Sequence, residues 1–275
     1  MVNDMKNTRP KYQQIYVEIT NSCNLSCPFC LPTSRKTRQM TLSEIEQIAI
    51  KLVSYTHSVY LHVKGEPLLH ENLKDIIRCF NNNKINVKIT TNGIGIMDHF
   101  EYLLDGSVKK INISLQSVHN MSIDYQKNYY DNIAKFLEKN QTTHIYLRNW
   151  ALNDDCRKDI EQNLSKLFPN AMFKDGEYLS DYVHYSIADK FEWPSLDGKE
   201  QINSTCLGGR NQLGILADGT VVLCCLDTNG DTAIGNIFNN DLEQIINSDI
   251  YQKAVHQMPY FDLCKKCSYR LKFKK

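Results

Sequence analysis

Short apolar runs alternate with helical segments through the first two thirds of this 275-residue chain. Strands that alternate with helices through short connections are typical of a parallel sheet covered by helices. The helical segment that follows Thr41 opens with the capping-box pattern Thr-x-x-Glu. We therefore expect an α/β core. Its predicted strands are 14–20, 58–63, 85–93, 108–117, 143–150 and 171–179, and its predicted helices are 41–55, 73–82, 97–104, 125–139 and 154–168.

Six strand–helix units are too few to close an eight-stranded barrel. The strands should still meet with their C-terminal ends at one edge, where parallel α/β folds collect functional residues. After about residue 179 the pattern changes, and two alternating apolar runs flank Asp218-Gly219, a strong hairpin signal. The predicted division is a core at 1–180, a connecting segment at 181–205, and a small C-terminal unit at 206–275 made of the hairpin and a helix at 241–257.

Three cysteines, Cys23, Cys27 and Cys30, follow the first predicted strand with the spacing C-x3-C-x2-C. A structural zinc site usually takes four ligands, often in paired C-x2-C units. An electron-carrying [4Fe–4S] cluster usually takes four cysteines. Three thiolates leave one iron of such a cluster without a protein ligand, and a small molecule can chelate it. The spacing therefore indicates an iron–sulfur site that takes part in chemistry.

Three further motifs end apolar runs, at 64–67 (KGEP), 90–93 (TTNG) and 112–117 (NISLQS). In isolation each has an ordinary explanation. Glu66-Pro67 and Asn92-Gly93 are common turn pairs, while Ser114 and Gln116, which alternate along the fourth predicted strand, would be solvent-facing residues. Their position at the same sheet edge as the cysteine loop favours a shared site.

The cysteines and these motifs, in this order, resemble the signature of the radical S-adenosylmethionine (SAM) superfamily, although Lys64 replaces the first glycine of the family's Gly-Gly-Glu-Pro motif. The resemblance implies an open, partial (β/α)6 barrel, a [4Fe–4S] cluster held by the three cysteines, and SAM chelated to the open iron. It also implies that Glu66 accepts the SAM ammonium and that Ser114 and Gln116 bind the ribose. The implied SAM-contacting residues are Phe29, Gly65, Glu66, Pro67, Asn92, Ser114 and Gln116.

A second group of cysteines, Cys206, Cys224, Cys264 and Cys267, surrounds the predicted hairpin and helix. Four thiolates could hold zinc or a second cluster. The pattern resembles the twitch subdomain, a short form of the SPASM extension, which implies an auxiliary [4Fe–4S] cluster with four protein ligands, as in the aminocyclitol dehydrogenase type of butirosin biosynthesis. Cys225, next to Cys224, complicates the assignment, because adjacent strand residues face opposite sides. The Gly-x4-Cys spacing selects Cys224 as the ligand and leaves Cys225 to packing, with the reverse assignment still open.

Composition argues against several classes of protein. The net charge of +1 does not indicate broad nucleic-acid binding, and no apolar run approaches the length of a membrane span. The polar segment 1–11 lacks the apolar region of a signal peptide, and ten cysteines without such a signal favour metal binding over disulfides. We therefore expect a cytoplasmic protein without a membrane partner or a nucleic-acid partner.

The resemblance implies an enzyme that cleaves SAM reductively to a 5′-deoxyadenosyl radical, abstracts a substrate hydrogen atom, and oxidises the substrate radical through the auxiliary cluster. The implied reaction is alcohol dehydrogenation of a small molecule similar to a sugar or cyclitol, with a flavodoxin or ferredoxin as electron donor. Arg148, at the end of the fifth predicted strand, is the candidate catalytic residue. It could bind a substrate carboxylate or phosphate or help to deprotonate a substrate alcohol, with a surface salt bridge as the alternative. A peptide-modifying maturase, an RNA-modifying enzyme and a two-cluster redox sensor are the alternative functions.

Overall fold

The computed structural model describes residues 11–31, 33–150, 153–188, 193–201 and 205–273. The strands are β1 (Gln14–Val17), β2 (Ser58–Tyr60), β3 (Asn86–Thr91), β4 (Val108–Ser114), β5 (His144–Asn149), β6 (Tyr178–Ser180), β7 (Val183–Ile187), β8 (Gln212–Ile215), β9 (Thr220–Val222) and β10 (Ala233–Asn236). The helices are α1 (Leu42–Leu52), α2 (Leu73–Asn82), α3 (Phe100–Leu103), α4 (Ile123–Glu138), α5 (Asp154–Ser165), α6 (Leu242–Asn247), α7 (Asp249–His256) and α8 (Asp262–Lys265).

All ten strands belong to one open sheet in the order β10-β9-β8-β1-β2-β3-β4-β5-β7-β6. Six of them, from β1 to β5 together with β7, are parallel neighbours, and β10 and β6 form the two edges. This arrangement confirms the open α/β core expected from the sequence. In the part of the chain that the structure describes, none of the helices combines the length and apolarity that a bilayer span needs.

The two faces of the parallel strands differ in chemistry because successive side chains point to opposite sides. On the outer face, apolar residues such as Ile15, Ile111 and Leu147 are fully buried in the core formed with the helices. The register places polar and aromatic residues side by side on the opposite face, here called the inner face, and these include Tyr16, Tyr60, Lys88, Lys110, Tyr146, Ser114 and Arg148. A face with this composition can line a binding cavity.

Helix positions follow the sequence signals closely. Thr41 caps α1 with the expected capping box, since its side chain accepts a hydrogen bond from the Glu44 N–H and the Glu44 carboxylate accepts one from the Thr41 N–H. α2 has the predicted bounds. The predicted helix at 97–104 is instead a 3-10 turn followed by the single turn α3, and the predicted helix at 241–257 is divided into α6 and α7 at Ser248, which caps α7.

The prediction of a sixth strand at 171–179 is wrong. Phe173 and Gly176 have positive φ angles of 53° and 78°, so the backbone turns there. The sixth parallel strand is β7, which pairs with β5 and buries Val183 and Tyr185, and β6 pairs with β7 in antiparallel fashion. The last strand of the core therefore lies within 181–205, the stretch expected to be a connecting segment.

The C-terminal hairpin continues the sheet of the core. β8 pairs in parallel with β1 from Gln14↔Gln212 to Val17↔Ile215, and β9 returns antiparallel to β8. Gly219 turns the chain at φ +84°, in the hairpin position that the Asp-Gly pair predicts. Hydrogen bonding to β1 fixes the C-terminal unit beside the strand that leads into the first cysteine loop.

Candidate functional site

A cavity of about 740 Å³ lies on the inner face, where β1 to β5 end. The inner-face side chains of these strands and the loops that follow them form its wall. It brings together ten of the predicted site residues: Cys23, Cys27, Phe29, Cys30, Gly65, Glu66, Asn92, Ser114, Gln116 and Arg148. Pro67 is buried behind the wall at the start of a 3-10 turn, Pro67–Leu69.

The loop that carries Cys23, Cys27 and Cys30 has little regular structure, so its thiols can converge on one wall of the cavity. The Cys30 N–H donates to the Cys27 carbonyl at 3.0 Å, and the Leu25 N–H lies 3.4 Å from the Cys23 sulfur. Burial, and then the charges of Cys23 and Cys30, raise the pKa of the Cys27 thiol. Thiolates that repel one another in this way fit a site where a cationic iron centre neutralises them.

Gly65 fixes the start of this loop. Its φ is +77°, and a Cβ at this position would lie 2.3 Å from the Thr20 carbonyl oxygen and 2.8 Å from that of Ser22. The next residue, Glu66, donates its N–H to the Ser22 carbonyl at 2.8 Å. The backbone after β2 therefore packs directly on the residues that precede Cys23, and only glycine allows this approach.

Glu66 is nearly fully buried at the cavity wall, with 2% of its surface exposed. One carboxylate oxygen accepts the Leu68 N–H at 3.0 Å, and the other accepts the Asn92 N–H at 2.7 Å. Burial raises the pKa of this carboxyl to about 7 against the opposing effect of these bonds. Glu66 thus joins the end of β2 to the end of β3, and its carboxylate keeps lone-pair capacity for a cationic ligand.

Asn92 connects β3 to the cysteine loop. Its side-chain amide donates to the side-chain oxygen of Asn24 at 2.8 Å and accepts the Ile94 N–H at 2.9 Å. Beside it, Ser114 and Gln116 both line the cavity. The expectation that both lie on the fourth strand is wrong for Gln116, because β4 ends at Ser114 and a 3-10 turn covers Leu115–Val118. This turn places Gln116 over the cavity, and its side-chain amide oxygen accepts the backbone N–H of Trp150 at 3.4 Å.

The second cysteine group forms a compact set next to the hairpin. The Gly208 N–H lies 3.3 Å from the Cys206 sulfur, and Gly208 itself packs against both Cys206 and Cys224. Burial, then the charges of Cys206 and Cys267, raise the pKa of Cys264 to about 12. Burial also raises the pKa of the Cys224 and Cys267 thiols, and thiols whose ionisation is disfavoured in this way fit a multi-iron centre, which supplies compensating positive charge.

No three His, Cys, Asp or Glu side chains within the described residues are arranged to hold a single metal ion. A cluster makes a different demand, because each thiolate binds a separate iron and the ligands stand further apart. The donor sets of both cysteine groups consist of thiolates, the ligands that iron–sulfur clusters take.

Cys225 differs from Cys224 in where it faces. Cys225 lines the cavity, and its thiol is a partner of the Tyr16 hydroxyl and a close neighbour of Arg148. Cys224 faces Cys206 and Cys264. This geometry supports the choice of Cys224 as a ligand, and it gives Cys225 a place in the cavity wall in addition to the packing expected from the sequence.

Several residues at the site were not identified from the sequence. The Trp193 indole donates to the Phe29 carbonyl at 2.8 Å and lines the cavity, and Tyr269 lines it next to the second cysteine group. Arg270, only 2% exposed, donates to the Cys264 carbonyl at 2.8 Å. Fully buried Glu18 accepts hydrogen bonds from the Arg35 guanidinium at 2.6 Å and from two backbone N–H groups. For Trp193 the sequence did offer a signal, because it is one of only two tryptophans in the chain.

Solved structures of similar fold cover almost the whole chain. BtrN in complex with AdoMet and 2-DOIA gives a TM-score of 0.65 at 18% identity, over 95% of this chain and 94% of BtrN. SuiB of Streptococcus suis bound to precursor peptide SuiA gives 0.63 at 14% identity, over 94% of this chain and 71% of SuiB. At these identities the likeness shows the fold, a partial barrel with a C-terminal subdomain.

Curated relatives match a shorter stretch. GTP 3′,8-cyclase of Peptoclostridium acidaminophilum is 28% identical over 118 residues, which cover 40% of this chain and 36% of the cyclase. GTP 3′,8-cyclase of Alkaliphilus metalliredigens is 36% identical over 110 residues, which cover 37% of this chain and 34% of the cyclase. The match therefore spans about a third of the length of these relatives.

Two family models together cover both cysteine groups. The model of the radical SAM superfamily matches residues 17–163, more than half of the chain, and the model of the SPASM iron–sulfur cluster-binding domain matches residues 206–268. These domains imply SAM and [4Fe–4S] clusters as cofactors, in agreement with the thiol-lined cavity. The chain belongs to the radical SAM superfamily and carries a C-terminal SPASM domain.

Proposed function

We propose that this radical SAM enzyme is an oxidoreductase that removes two hydrogens from a small-molecule alcohol. Residues of both cysteine regions line a single cavity, and this observation carries the proposal: Cys23, Cys27 and Cys30 line it together with Cys225 and Tyr269. When bound, the cofactors supply a hydrogen-abstracting 5′-deoxyadenosyl radical at the first site and an electron acceptor at the second. A substrate in the cavity lies between them.

The two cysteine groups have different numbers of thiols, and this difference supports the division of roles. Three thiols leave a coordination position for SAM, whereas four saturate a cluster. We assign Cys23, Cys27 and Cys30 to the first cluster. We assign the auxiliary cluster to Cys206, Cys224, Cys264 and Cys267.

Residues between the cysteine loop and β4 would bind SAM. Glu66 has carboxylate lone pairs for the ammonium group, and Ser114 and Gln116 present a hydroxyl and an amide to the ribose. Asn92 and Gly65 shape this wall, because Asn92 binds Glu66 through its N–H and the cysteine loop through its side chain, and Gly65 packs on the residues before Cys23. Pro67 follows Glu66 and is buried. Phe29 lines the same cavity.

The size of the cavity favours a small substrate. About 740 Å³ is within the usual range of small-molecule pockets, roughly 300–1,000 Å³, and SAM takes a share of it. BtrN, whose structure contains 2-DOIA, has a similar fold over nearly its whole length. A peptide substrate is the competing possibility, since SuiB was solved with a precursor peptide.

The proposal is tested with anaerobically reconstituted protein, reductant and SAM, supplied with fractions of low-molecular-weight cell extract. We expect one fraction to increase 5′-deoxyadenosine formation and to yield about one product, two hydrogens lighter by mass spectrometry, per 5′-deoxyadenosine. The Cys23→Ala variant should form neither compound. The Cys206→Ala variant should still cleave SAM but lose most of the dehydrogenated product.

Cys79→Ala is the matched control, because Cys79 is partly buried on α2 and away from both cysteine groups. It should behave as the wild type. A product with unchanged hydrogen count would refute the oxidoreductase assignment, and so would normal dehydrogenation by Cys206→Ala. Activity that appears only with peptides would replace the small molecule by a peptide substrate.

A further inference from the structure

Arg148 is a partly buried cation without an acidic partner. It is the second-last residue of β5, lies on the inner face, lines the cavity, and is a neighbour of Tyr16, Tyr60 and Cys225. Among the described residues, no Asp or Glu carboxylate is within salt-bridge distance of its guanidinium. The surface ion pair considered from the sequence is therefore not what this arginine forms. An arginine removed from water without a counter-charge is unfavourable unless a ligand supplies one.

The guanidinium is positioned by stacking. Its central carbon lies 4.5 Å from the centroid of the Trp150 ring. Stacking of this kind occupies a face of the guanidinium and leaves the N–H groups at its edge to bind a planar or tetrahedral oxyanion in bidentate geometry.

Two other polar groups in the same wall have no partner within the described residues. The Nε1 of Trp150 and the Nδ1 of His62 are buried atoms without a hydrogen bond. Burial, then the charge of Arg148, lower the pKa of His62 to about 3, so its ring is neutral at physiological pH. The indole N–H can only donate, and an unsatisfied buried donor is rare in proteins. A ligand oxygen would satisfy it.

More positive charge lies below Arg148 on the inner face. Burial, then Arg148 and Lys88, lower the pKa of Lys110 to about 8, and the Lys110 ammonium lies 3.4 Å from the centroid of the Tyr146 ring. Glu18 pairs with Arg35, and Glu66 lies in the wall between β2 and β3, where its carboxylate accepts two backbone N–H groups. Arg148, Lys88 and Lys110 therefore concentrate positive charge on this part of the inner face.

We propose that the substrate carries an anionic group, a carboxylate or a phosphate, that binds to Arg148 and the indole N–H of Trp150, with His62 beside it. This inference rests on the proposed function and adds the substrate class. Ser114, opposite Arg148 in the strand register, and Gln116 belong to the SAM wall. Arg148 would therefore bind the charged end of the substrate. The reacting carbon of the substrate would then lie towards the cysteine loop.

Anion-exchange fractionation of the extract tests the substrate class. The substrate-dependent increase in 5′-deoxyadenosine should appear only in fractions that a strong anion exchanger retains. Activity in the unretained, neutral fraction overturns the inference but not the proposed function, which fails instead if no fraction is active or if the product keeps its hydrogen count. Treating the active fraction with a phosphatase separates the two sources of charge: loss of activity identifies a phosphate, and its survival identifies a carboxylate.

A binding measurement tests Arg148 directly. Inorganic phosphate and citrate, at matched ionic strength, should each raise the thermal unfolding midpoint of the reconstituted, SAM-bound wild type in a saturable manner. Arg148→Gln should lose this shift for at least one of the two anions, and Arg148→Lys should keep part of it. Arg78→Gln removes the same charge from an exposed position on α2 and should respond as the wild type.

Two results would overturn the inference. One is an equal anion-dependent shift in Arg148→Gln and the wild type. The other is a loss of SAM affinity of tenfold or more in both Arg148→Gln and Arg148→Lys, because Arg148 would then bind the SAM carboxylate. If Arg148→Gln does not fold, the same comparison is made with Arg148→Lys, which keeps the charge but loses the planar fork and should weaken anion binding several-fold.

Discussion

Gly65 allows a direct test of how the cysteine loop is held. A methyl group at this position would meet the Thr20 carbonyl oxygen at 2.3 Å, and the positive φ adds strain. We expect Gly65→Ala to lower the free energy of unfolding by about 2 to 3 kcal/mol. The displaced loop should also lose its cluster, so iron per chain after reconstitution should fall by about half, since the second cysteine group is intact.

Gly106 supplies the matched control for this substitution. Its φ is +88°, but a methyl group at that position would meet no atom within 4 Å. Gly106→Ala should therefore show only the backbone strain of about 1 kcal/mol and keep all its iron. Equal iron content in the two variants would show that the contact with Thr20 does not position the loop.

Glu66 should make SAM binding depend on pH near neutrality. Burial raises its pKa from 4.5 to about 7, so the carboxyl takes up a proton as the pH falls through 7 and loses its attraction for an ammonium group. SAM affinity of the reconstituted protein, measured by equilibrium ultrafiltration, should fall by up to about tenfold between pH 8 and pH 6.

Two variants separate this effect from general acid damage. Glu66→Gln should bind SAM weakly with little change over the same pH range, while Glu71→Gln, an exposed neighbour, should keep the pH dependence of the wild type. A wild-type affinity that is constant from pH 8 to pH 6 would contradict the assignment of Glu66 to the SAM ammonium.

At the scale of single elements, sequence signals succeeded where the information is local. The capping box of α1 and the Asp218-Gly219 hairpin depend on neighbours in sequence, and both were predicted. The last strand was placed wrongly because alternation at 171–179 looked like a strand, although Phe173 and Gly176 turn the backbone. β7 was missed because its burial comes from pairing with β5, about forty residues earlier.

The cap of α1 can be tested independently of the metal sites. Thr41→Ala removes the hydroxyl that accepts the Glu44 N–H and should lower the free energy of unfolding by about 1 kcal/mol in urea titrations. Ser43→Ala, an exposed change in the same first turn, should alter it by less than about 0.5 kcal/mol. Similar losses in the two variants would mean that the hydroxyl bond contributes little.

At the scale of the whole molecule, the cysteines and strand-end motifs predicted the residues that line the cavity. The distant residues that contact this lining were found only in the structure. Trp193 lies 164 positions from its partner Phe29, and Glu18 lies 199 positions from Ala217. Tyr269 belongs to the same group, since it reaches the cavity from the end of the chain. Single-sequence patterns report local periodicity and spacing, so contacts over such separations have no signal in them.

Glu18 is the central contact between the core and the C-terminal unit. Its carboxylate accepts the Lys64 N–H beside Gly65 at 3.0 Å and the Ala217 N–H in the hairpin at 2.9 Å. It also pairs with Arg35, whose Nε donates to the Thr228 carbonyl at 2.8 Å. One buried ion pair thus connects β1, the loop after the first cysteines and the SPASM hairpin.

Breaking this pair should therefore destabilise both cysteine sites together. Glu18→Gln leaves the nearly buried Arg35 without its counter-charge and should lower the free energy of unfolding by about 3 kcal/mol, measured in urea on anaerobic protein. Arg35→Met should have a similar effect, and the double variant should lose at least about 1 kcal/mol less than the sum of the two. Asp75→Asn, in an exposed pair with Arg78, should change stability by no more than about 0.5 kcal/mol. Additive losses in the double variant would show that the two side chains stabilise the junction separately.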